Sequence, residues 1–186
     1  MKKILILGGQ KPVAKKVMSL FKNNHDYELT HLDDVQFDNE GSYVDVVKDV
    51  NIIYSFLGPT DVDLAFEALF SALDEAKPPL KQFVMLSTAG IDNELVDDVT
   101  YENVDSKKEY LNEQRYAVKL VDEYEIPYTI LRPVKMTDEQ HGKLSVIDEG
   151  QKMNYGKVSF DNVADVAYNV VEKQEFINQS IGLIEE

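Results

Sequence analysis

Hydrophobic positions along the chain fall into two patterns that alternate from the first residues to the last. Short apolar runs are typical of buried strands, whereas apolar positions three or four apart indicate helices with one buried face. The short runs predict strands at Ile4–Leu7, Tyr27–Leu32, Val35–Phe37, Asn51–Leu57, Gln82–Leu86, Tyr128–Leu131 and Ser180–Ile184. The helical spacings predict helices after Pro12, over Tyr43–Val50, after Thr60 or Asp61, over Ser106–Glu123 and after Asp161. This alternation predicts an α/β fold, three-layered and doubly wound, with a mostly parallel sheet and Ile4–Leu7 as its central strand.

Composition and charge narrow the classes of partner. The 186 residues contain no linker or repeat, so a single domain over residues 1–186 is expected. Lys and Arg number 19 against 34 Asp and Glu, a net charge of −15 that repels nucleic acids and anionic membranes. The absence of cysteine excludes disulfides and thiol catalysis. No apolar run reaches the length of a signal peptide core or a membrane span, so we expect a cytoplasmic protein that acts on a small molecule.

The first candidate for chemistry is the turn after the first predicted strand. Gly8 and Gly9 permit a tight turn, and the start of the next helix offers free N–H groups and a partial positive charge to a diphosphate. Lys11 could add a full positive charge beside the same diphosphate. The turn departs from G-x-G-x-x-G, because Gln10 occupies the second glycine position and Val13 or Ala14 the third. Two adjacent glycines after a strand are more often only an ordinary strand-to-helix turn, which is the alternative.

Six segments in order carry a resemblance that spans almost the whole chain: residues 4–10, 52–58, 83–91, 126–133, 136–139 and 158–164. In these segments the chain resembles the atypical short-chain dehydrogenase/reductase family, specifically its small NmrA-like and biliverdin- or flavin-reductase-like NAD(P)H-binding members. The resemblance implies a Rossmann-like fold, a bound NAD or NADP, and activity as a small oxidoreductase.

The resemblance also implies which residues touch the cofactor. The implied contacts are the phosphate turn (Gly8, Gly9, Gln10, Lys11, Pro12, Val13), Asp38 near the adenine, Phe56, Leu57 and Gly58 beside the adenosine, Ser87 and Thr88 beneath the nicotinamide, and Arg132 and Pro133 closing the cleft. Each has a structural alternative. Phe56 and Leu57 could be core residues, and Arg132 could pair with one of the many acidic side chains.

The end of the second predicted strand bears on the choice of cofactor. Leu32 is followed by Asp33 and Asp34, where many relatives that bind NADP carry an arginine. A carboxylate accepts a hydrogen bond from a ribose hydroxyl but repels a 2′-phosphate, so NAD is favoured over NADP. A polar loop with no contact to cofactor is the alternative.

The catalytic pattern of the wider family is incomplete. That family uses Y-x-x-x-K, in which the lysine lowers the pKa of the tyrosine, yet no tyrosine here has a lysine four residues later. The pair aligns with Tyr110 and Gln114, and an uncharged Gln114 would leave an exposed Tyr110 phenol near its ordinary pKa of about 10. Ser87 and Tyr110 remain the candidate catalytic residues. The helical spacing of Tyr110 with Ala117, Val121 and Tyr124 nevertheless favours a core or rim tyrosine. Hydride transfer to a flavin, quinone or bilin-like acceptor could still proceed with a proton from water. A non-catalytic dinucleotide sensor and a remnant fold without ligand are the alternatives.

Overall fold

Nine strands and four α-helices make up the computed structural model, which describes residues 1–186. The strands are β1 (Lys2–Leu7), β2 (Tyr27–Leu32), β3 (Ile52–Ser55), β4 (Gln82–Leu86), β5 (Tyr128–Pro133), β6 (Lys135–Thr137), β7 (Leu144–Ile147), β8 (Lys157–Ser159) and β9 (Gln179–Glu185). The helices are α1 (Pro12–Phe21), α2 (Val62–Ala76), α3 (Lys107–Glu123) and α4 (Phe160–Glu172), with a short 3₁₀ turn at Glu40–Ser42.

The main sheet has seven strands in the order β2-β1-β3-β4-β5-β9-β7. All neighbours are parallel except β7, which runs antiparallel to β9 at one edge. Strands β6 and β8 form a separate parallel pair. The strand order reverses between β1 and β3, because the chain builds outwards from β1 to β2 and then returns to β3 on its other side. This is the predicted doubly wound, mostly parallel arrangement.

Helices cover both faces of the sheet and form the two outer layers. Helix α1 packs on α4 over one face, and α2 packs on α3 over the other. Side chains of β1 alternate between two separate cores: Ile4 and Ile6 belong to the first, Leu5 and Leu7 to the second. Because both faces of β1 are buried, its residues 4–7 are continuously apolar. None of the helices has the length and apolar character needed to cross a bilayer.

Two predicted elements between β2 and β3 are wrong. Val35–Phe37 is a loop rather than a strand, and Tyr43–Val50 forms successive turns rather than a helix. Tyr43, Val47 and Val50 are nevertheless buried. The hydroxyl of Tyr43 donates to the carbonyl oxygen of Phe37 at 2.7 Å. The apolar spacing correctly predicted which side chains are buried. The backbone conformation of this segment is determined by tertiary contacts such as the one made by Tyr43.

Helix α2 begins directly after Asp61 as predicted, whereas α4 begins one residue earlier than predicted. Asp61 precedes α2 with a φ of 59° and makes no capping hydrogen bond with its side chain. Helix α4 begins one residue before Asp161, at Phe160, because the hydroxyl of Ser159 accepts a hydrogen bond from the Asn162 amide at 3.2 Å. Ser106 caps α3 in the same way, through the amide of Glu109.

Candidate functional site

A cleft opens at the carboxyl ends of β1 and β3, where the strand order reverses. Helix α1 leaves β1 towards one face of the sheet, and α2 follows β3 on the other face, so the two connections diverge and leave a crevice. The crevice contains a large cavity of about 550 Å³ and a small one of about 170 Å³. Lys11, Leu57 and Gly58 line both cavities and therefore mark the border between them.

The glycine turn lets β1 lie close to both of its neighbours. Gly8 has a φ of +77°, and a Cβ on it would stand 3.2 Å from the carbonyl oxygen of Phe56. A Cβ on Gly9 would stand 3.1 Å from both the Asp33 carboxylate and the Cβ of His31. Gly8 borders the large cavity, whereas Gly9 is buried against the end of β2. Close packing against the end of β2 therefore explains why residue 9 is a glycine.

The N-terminus of α1 faces the border between the cavities and carries no side-chain cap. Lys11 occupies the N-cap position without a capping hydrogen bond, Pro12 follows at the first helical position, and the first turn contains no acidic residue. The first-turn amides and the positive end of the helix dipole are thus available to an anion. Across this border, the ammonium of Lys11 donates to the carbonyl oxygen of Gly58 at 3.0 Å.

Comparison with known proteins identifies the family. A family model described as NAD(P)H-binding matches residues 17–174, most of the chain. The chain belongs to this NAD(P)H-binding family. The matched region begins beyond the glycine turn, so the turn itself lies outside the match. No curated protein sequence matches the chain.

Solved structures place this NAD(P)H-binding protein within a common fold. A short-chain dehydrogenase/reductase from Veillonella parvula, in complex with NADP, is 19% identical with a TM-score of 0.78, over 99% of this chain and 94% of that one. An anaerobillin reductase from Escherichia coli is 17% identical (TM-score 0.75, 99% and 97% covered). A candidate NADH-flavin reductase from Streptococcus pneumoniae is 15% identical (TM-score 0.70, 100% of both chains). The Rossmann-like fold and the family resemblance predicted from the sequence are confirmed.

Most of the predicted cofactor contacts line the two cavities. Gly8, Gln10, Lys11, Asp33, Asp38, Leu57 and Gly58 line the large cavity, and Lys11, Pro12, Val13, Phe56, Leu57, Gly58 and Ser87 line the small one. Gly9, Thr88, Arg132 and Pro133 line neither. Sequence reasoning missed Phe37, which it assigned to a strand, and also Met136 and Phe160. Met136 lies in the resembling segment 136–139, and that resemblance is the sequence signal that could have identified it.

Asp33 joins the end of β2 to the glycine turn. One carboxylate oxygen accepts from the backbone amide of Gln10 at 3.1 Å, and the other lies 2.7 Å from Nδ1 of His31. The side chain is 10% exposed and borders the large cavity. Four carboxylates line that cavity, those of Asp33, Asp34, Asp38 and Asp61, against the single ammonium of Lys11. The negative charge of these carboxylates therefore disfavours the binding of an additional phosphate in the large cavity.

The prediction that Arg132 closes the cleft is wrong. Its side chain is 0% exposed and forms an ion pair with the equally buried carboxylate of Glu94. Its Nε lies 2.9 Å from the Ser180 hydroxyl and 3.3 Å from the carboxylate of Asp92. Pro133 is also buried, and its carbonyl oxygen accepts from the backbone amide of Ala89 at 2.9 Å. Both residues stabilise the carboxyl end of β5 from within the protein, so neither is free to contact a ligand in the cleft.

The aligned pair Tyr110 and Gln114 lies at the small cavity, but its chemistry differs from the expected one. Burial raises the pKa of Tyr110, although a hydrogen bond with Thr88 partly opposes this effect. The phenol is therefore not exposed, which agrees with the core or rim position that the helical spacing of Tyr110 favours. Ser87 donates its hydroxyl proton to Oε1 of Gln114 at 2.8 Å, and both residues are buried. The raised pKa of Tyr110 therefore makes its phenol unsuited to proton donation at the small cavity.

Proposed function

We propose that the protein is an NAD(P)H-dependent oxidoreductase whose cleft binds the dinucleotide across both cavities. Adenosine occupies the large cavity, the diphosphate lies at the N-terminus of α1, and nicotinamide riboside occupies the small cavity. The observation that carries this proposal is the meeting of the two cavities at Lys11, over a helix N-terminus with no side-chain cap. A molecule with two ring systems joined by a diphosphate has the matching shape and charge.

The cavity sizes support this division. The large cavity, about 550 Å³, is within the range of about 300–1,000 Å³ that is usual for small-molecule sites. The small cavity, about 170 Å³, resembles in size an apolar cavity of about 150 Å³ that admits benzene, so it has room for one six-membered ring. Phe56, Leu86 and Phe160 provide apolar walls for such a ring.

NAD is favoured over NADP in this proposal. Asp33 is held in place by the Gln10 amide, at the position where the fold presents an acidic residue to the ribose of the adenosine. Its carboxylate accepts from a ribose hydroxyl and repels a 2′-phosphate. Asp34 and Asp38 on the same cavity add to this repulsion.

The acceptor is proposed to be a flavin, a quinone or a bilin-like molecule. Bound NADH supplies a hydride, and the chain orients the ring and keeps water away from its buried face. The raised pKa of Tyr110 makes its phenol a poor acid, which favours acceptors that take their proton from water. The bilin and flavin reductases among the structural neighbours agree with this class of acceptor.

A second candidate function is a dinucleotide sensor that performs no catalysis. It is favoured by the occupied hydroxyl of Ser87, whose only proton is donated to Gln114. In this case the cleft binds NADH or NADPH, and this binding changes the interaction of the protein with a partner.

Titration of the purified protein with NADH and NADPH, followed by cofactor fluorescence or calorimetry, tests the proposal. Saturable binding with a preference for NADH is expected, and no saturable binding of either would refute both candidate functions. Oxidation of NADH is then followed through the loss of absorbance of the reduced nicotinamide ring, with flavin, quinone and bilin acceptors. Turnover supports the oxidoreductase, and binding without turnover on the whole panel supports the sensor.

A further inference from the structure

His31 is the one basic side chain paired with the carboxylate that the proposed function assigns to the adenosine ribose. Nδ1 of His31 lies 2.7 Å from one carboxylate oxygen of Asp33, and the other oxygen accepts from the Gln10 amide at 3.1 Å. The Asp33 side chain is 10% exposed, whereas that of His31 is 56% exposed. The carboxylate is therefore fixed at the wall of the large cavity, with a solvent-exposed imidazole beside it.

The imidazole can change its charge without losing this contact. An ionised carboxylate only accepts hydrogen bonds, so Nδ1 of His31 carries a proton whether the ring is neutral or positive. Nε2 makes no hydrogen bond with the chain, and the second proton is exchanged there with solvent. Histidine side chains change charge between about pH 5 and 8. The pair with Asp33 is therefore electrically neutral at the lower end of this range and negative at the upper end, while the carboxylate keeps its position.

No other basic group is paired with Asp33. The charged side chains of the segments around the pair are two lysines at the start of α1 and three carboxylates on the large cavity: Lys11, Lys15, Asp34, Asp38 and Asp61. Neither lysine forms an ion pair, and the ammonium of Lys11 donates to the carbonyl oxygen of Gly58 at 3.0 Å. On β1 the residue opposite His31 is the uncharged Ile6. Protonation of His31 is therefore the change in charge that acts most directly on Asp33.

We infer that His31 is a specificity-determining residue, whose protonation weakens the preference of the cleft for NAD over NADP. The inference rests on the proposed function. When the imidazole is neutral, Asp33 carries an unopposed negative charge that repels a 2′-phosphate. When the imidazole is protonated, a positive charge lies one hydrogen bond away from that carboxylate and offsets much of the repulsion at the phosphate. The preference for NAD should therefore be strong at about pH 8 and weaker at about pH 6.

Calorimetric titrations with NAD and NADP at about pH 8 and about pH 6 measure this effect. The 2′-phosphate of NADP takes up a proton of its own at about pH 6, so it also narrows the preference as the pH falls. His31→Asn separates the two contributions, because its amide nitrogen can replace Nδ1 as the donor to Asp33 but binds no proton. The ratio of the Kd for NADP to the Kd for NAD should fall about three- to tenfold more in the wild type than in this variant.

Two further variants complete the test. His31→Lys carries a positive charge at both pH values, so its ratio of Kd values at about pH 8 should lie about three- to tenfold below that of the wild type. His25→Asn is the matched control, because His25 is also exposed and lies before β2, at the opposite end of that strand. This control should follow the wild type at both pH values. Thermal melting shows that each variant is folded, and substitution of the exposed His31 should leave Tm unchanged.

Equal responses to pH in the wild type and His31→Asn overturn the inference, as does a His31→Lys variant with the wild-type ratio at about pH 8. Loss of the response in His25→Asn also overturns it, because the effect would then come from overall charge rather than from the pair with Asp33. Wild-type protein that binds neither NAD nor NADP at either pH refutes the proposed function as well. Saturable binding of both cofactors with no dependence on His31 refutes this inference alone.

Discussion

The buried ion pair of Arg132 makes a large and specific prediction about stability. Arg132→Met keeps an apolar side chain of similar length but removes the guanidinium. The carboxylate of Glu94 then stays buried, 1% exposed, with only the backbone amides of Gly90 (2.8 Å) and Asp92 (3.0 Å) as donors. Breaking a buried pair on one side costs about 3–5 kcal/mol. Since domains of this kind are stable by about 5–15 kcal/mol, the variant should lose about a fifth of its stability or more.

Urea unfolding followed by circular dichroism measures this loss as a fall in the midpoint with an unchanged slope. Lys3→Met is the control, because its pair with Asp49 is exposed (48% and 75%) and should be worth less than about 1 kcal/mol. Adding Glu94→Gln to Arg132→Met should recover part of the loss, since it removes the unpaired charge. A variant within about 1 kcal/mol of the wild type that has nevertheless lost affinity for NADH would refute the reasoning and show that Arg132 contacts the ligand.

Three further predictions concern the cleft and the last strand. Asp33→Asn keeps an acceptor for the Gln10 amide but loses the charge, so calorimetry should show the affinity for NADPH relative to NADH rising by about tenfold, and an unchanged ratio contradicts the assignment of Asp33. Gly8→Ala should lower the free energy of unfolding by about 1–2 kcal/mol, because φ is +77° and a Cβ would crowd the Phe56 carbonyl; equal stability in urea would show that the turn adapts. Burial raises the pKa of Glu185, but hydrogen bonds from surrounding amides and a hydroxyl outweigh burial and lower the pKa to about 2. Its stabilisation, on the order of 2–3 kcal/mol, is therefore full above about pH 4.5 and lost as the pH falls towards 2, and Glu185→Gln should flatten that part of the stability profile; a profile as steep as that of the wild type contradicts this.

The strands could be predicted because each leaves a pattern of apolar positions within its own segment, whether it is buried like Gln82–Leu86 or lies at the sheet edge like Tyr27–Leu32. Tyr27–Leu32 and Gln82–Leu86 have the predicted bounds. Tyr43–Val50 could not be predicted correctly, since its apolar residues are buried as a helix would bury them while its backbone follows turns fixed by the Tyr43 hydroxyl. Periodicity reports which side chains face the core, and several backbone paths satisfy the same pattern.

The site could be predicted only where its residues are set by local geometry. Gly8 and Gly58 follow directly from the strand-to-helix turns, and both border the cavities. Arg132 could not be placed, because its partner Glu94 is 38 residues away and nothing in the local sequence distinguishes a buried arginine from a cleft arginine. Gln114 looked like a simple loss of the family's lysine. Its contact with Ser87, 27 residues away, joins α3 to the end of β4 and could not be predicted from the local sequence.

The two cavities differ in how much of the chain is needed to build them. The large cavity is lined entirely by residues between Gly8 and Ala65, the first strands and their connections. The small cavity needs residues from Lys11 to Phe160, and Phe160 is fixed in turn by Ser159, whose amide and hydroxyl both donate to Glu185 in the last strand. Loss of the Glu185 carboxylate should therefore disturb the small cavity, where we propose that the nicotinamide ring binds, and leave intact the large cavity proposed for the adenosine. A variant such as Glu185→Gln that weakens NADH but not AMP would show that β9, although distant in sequence, positions the wall of the small cavity.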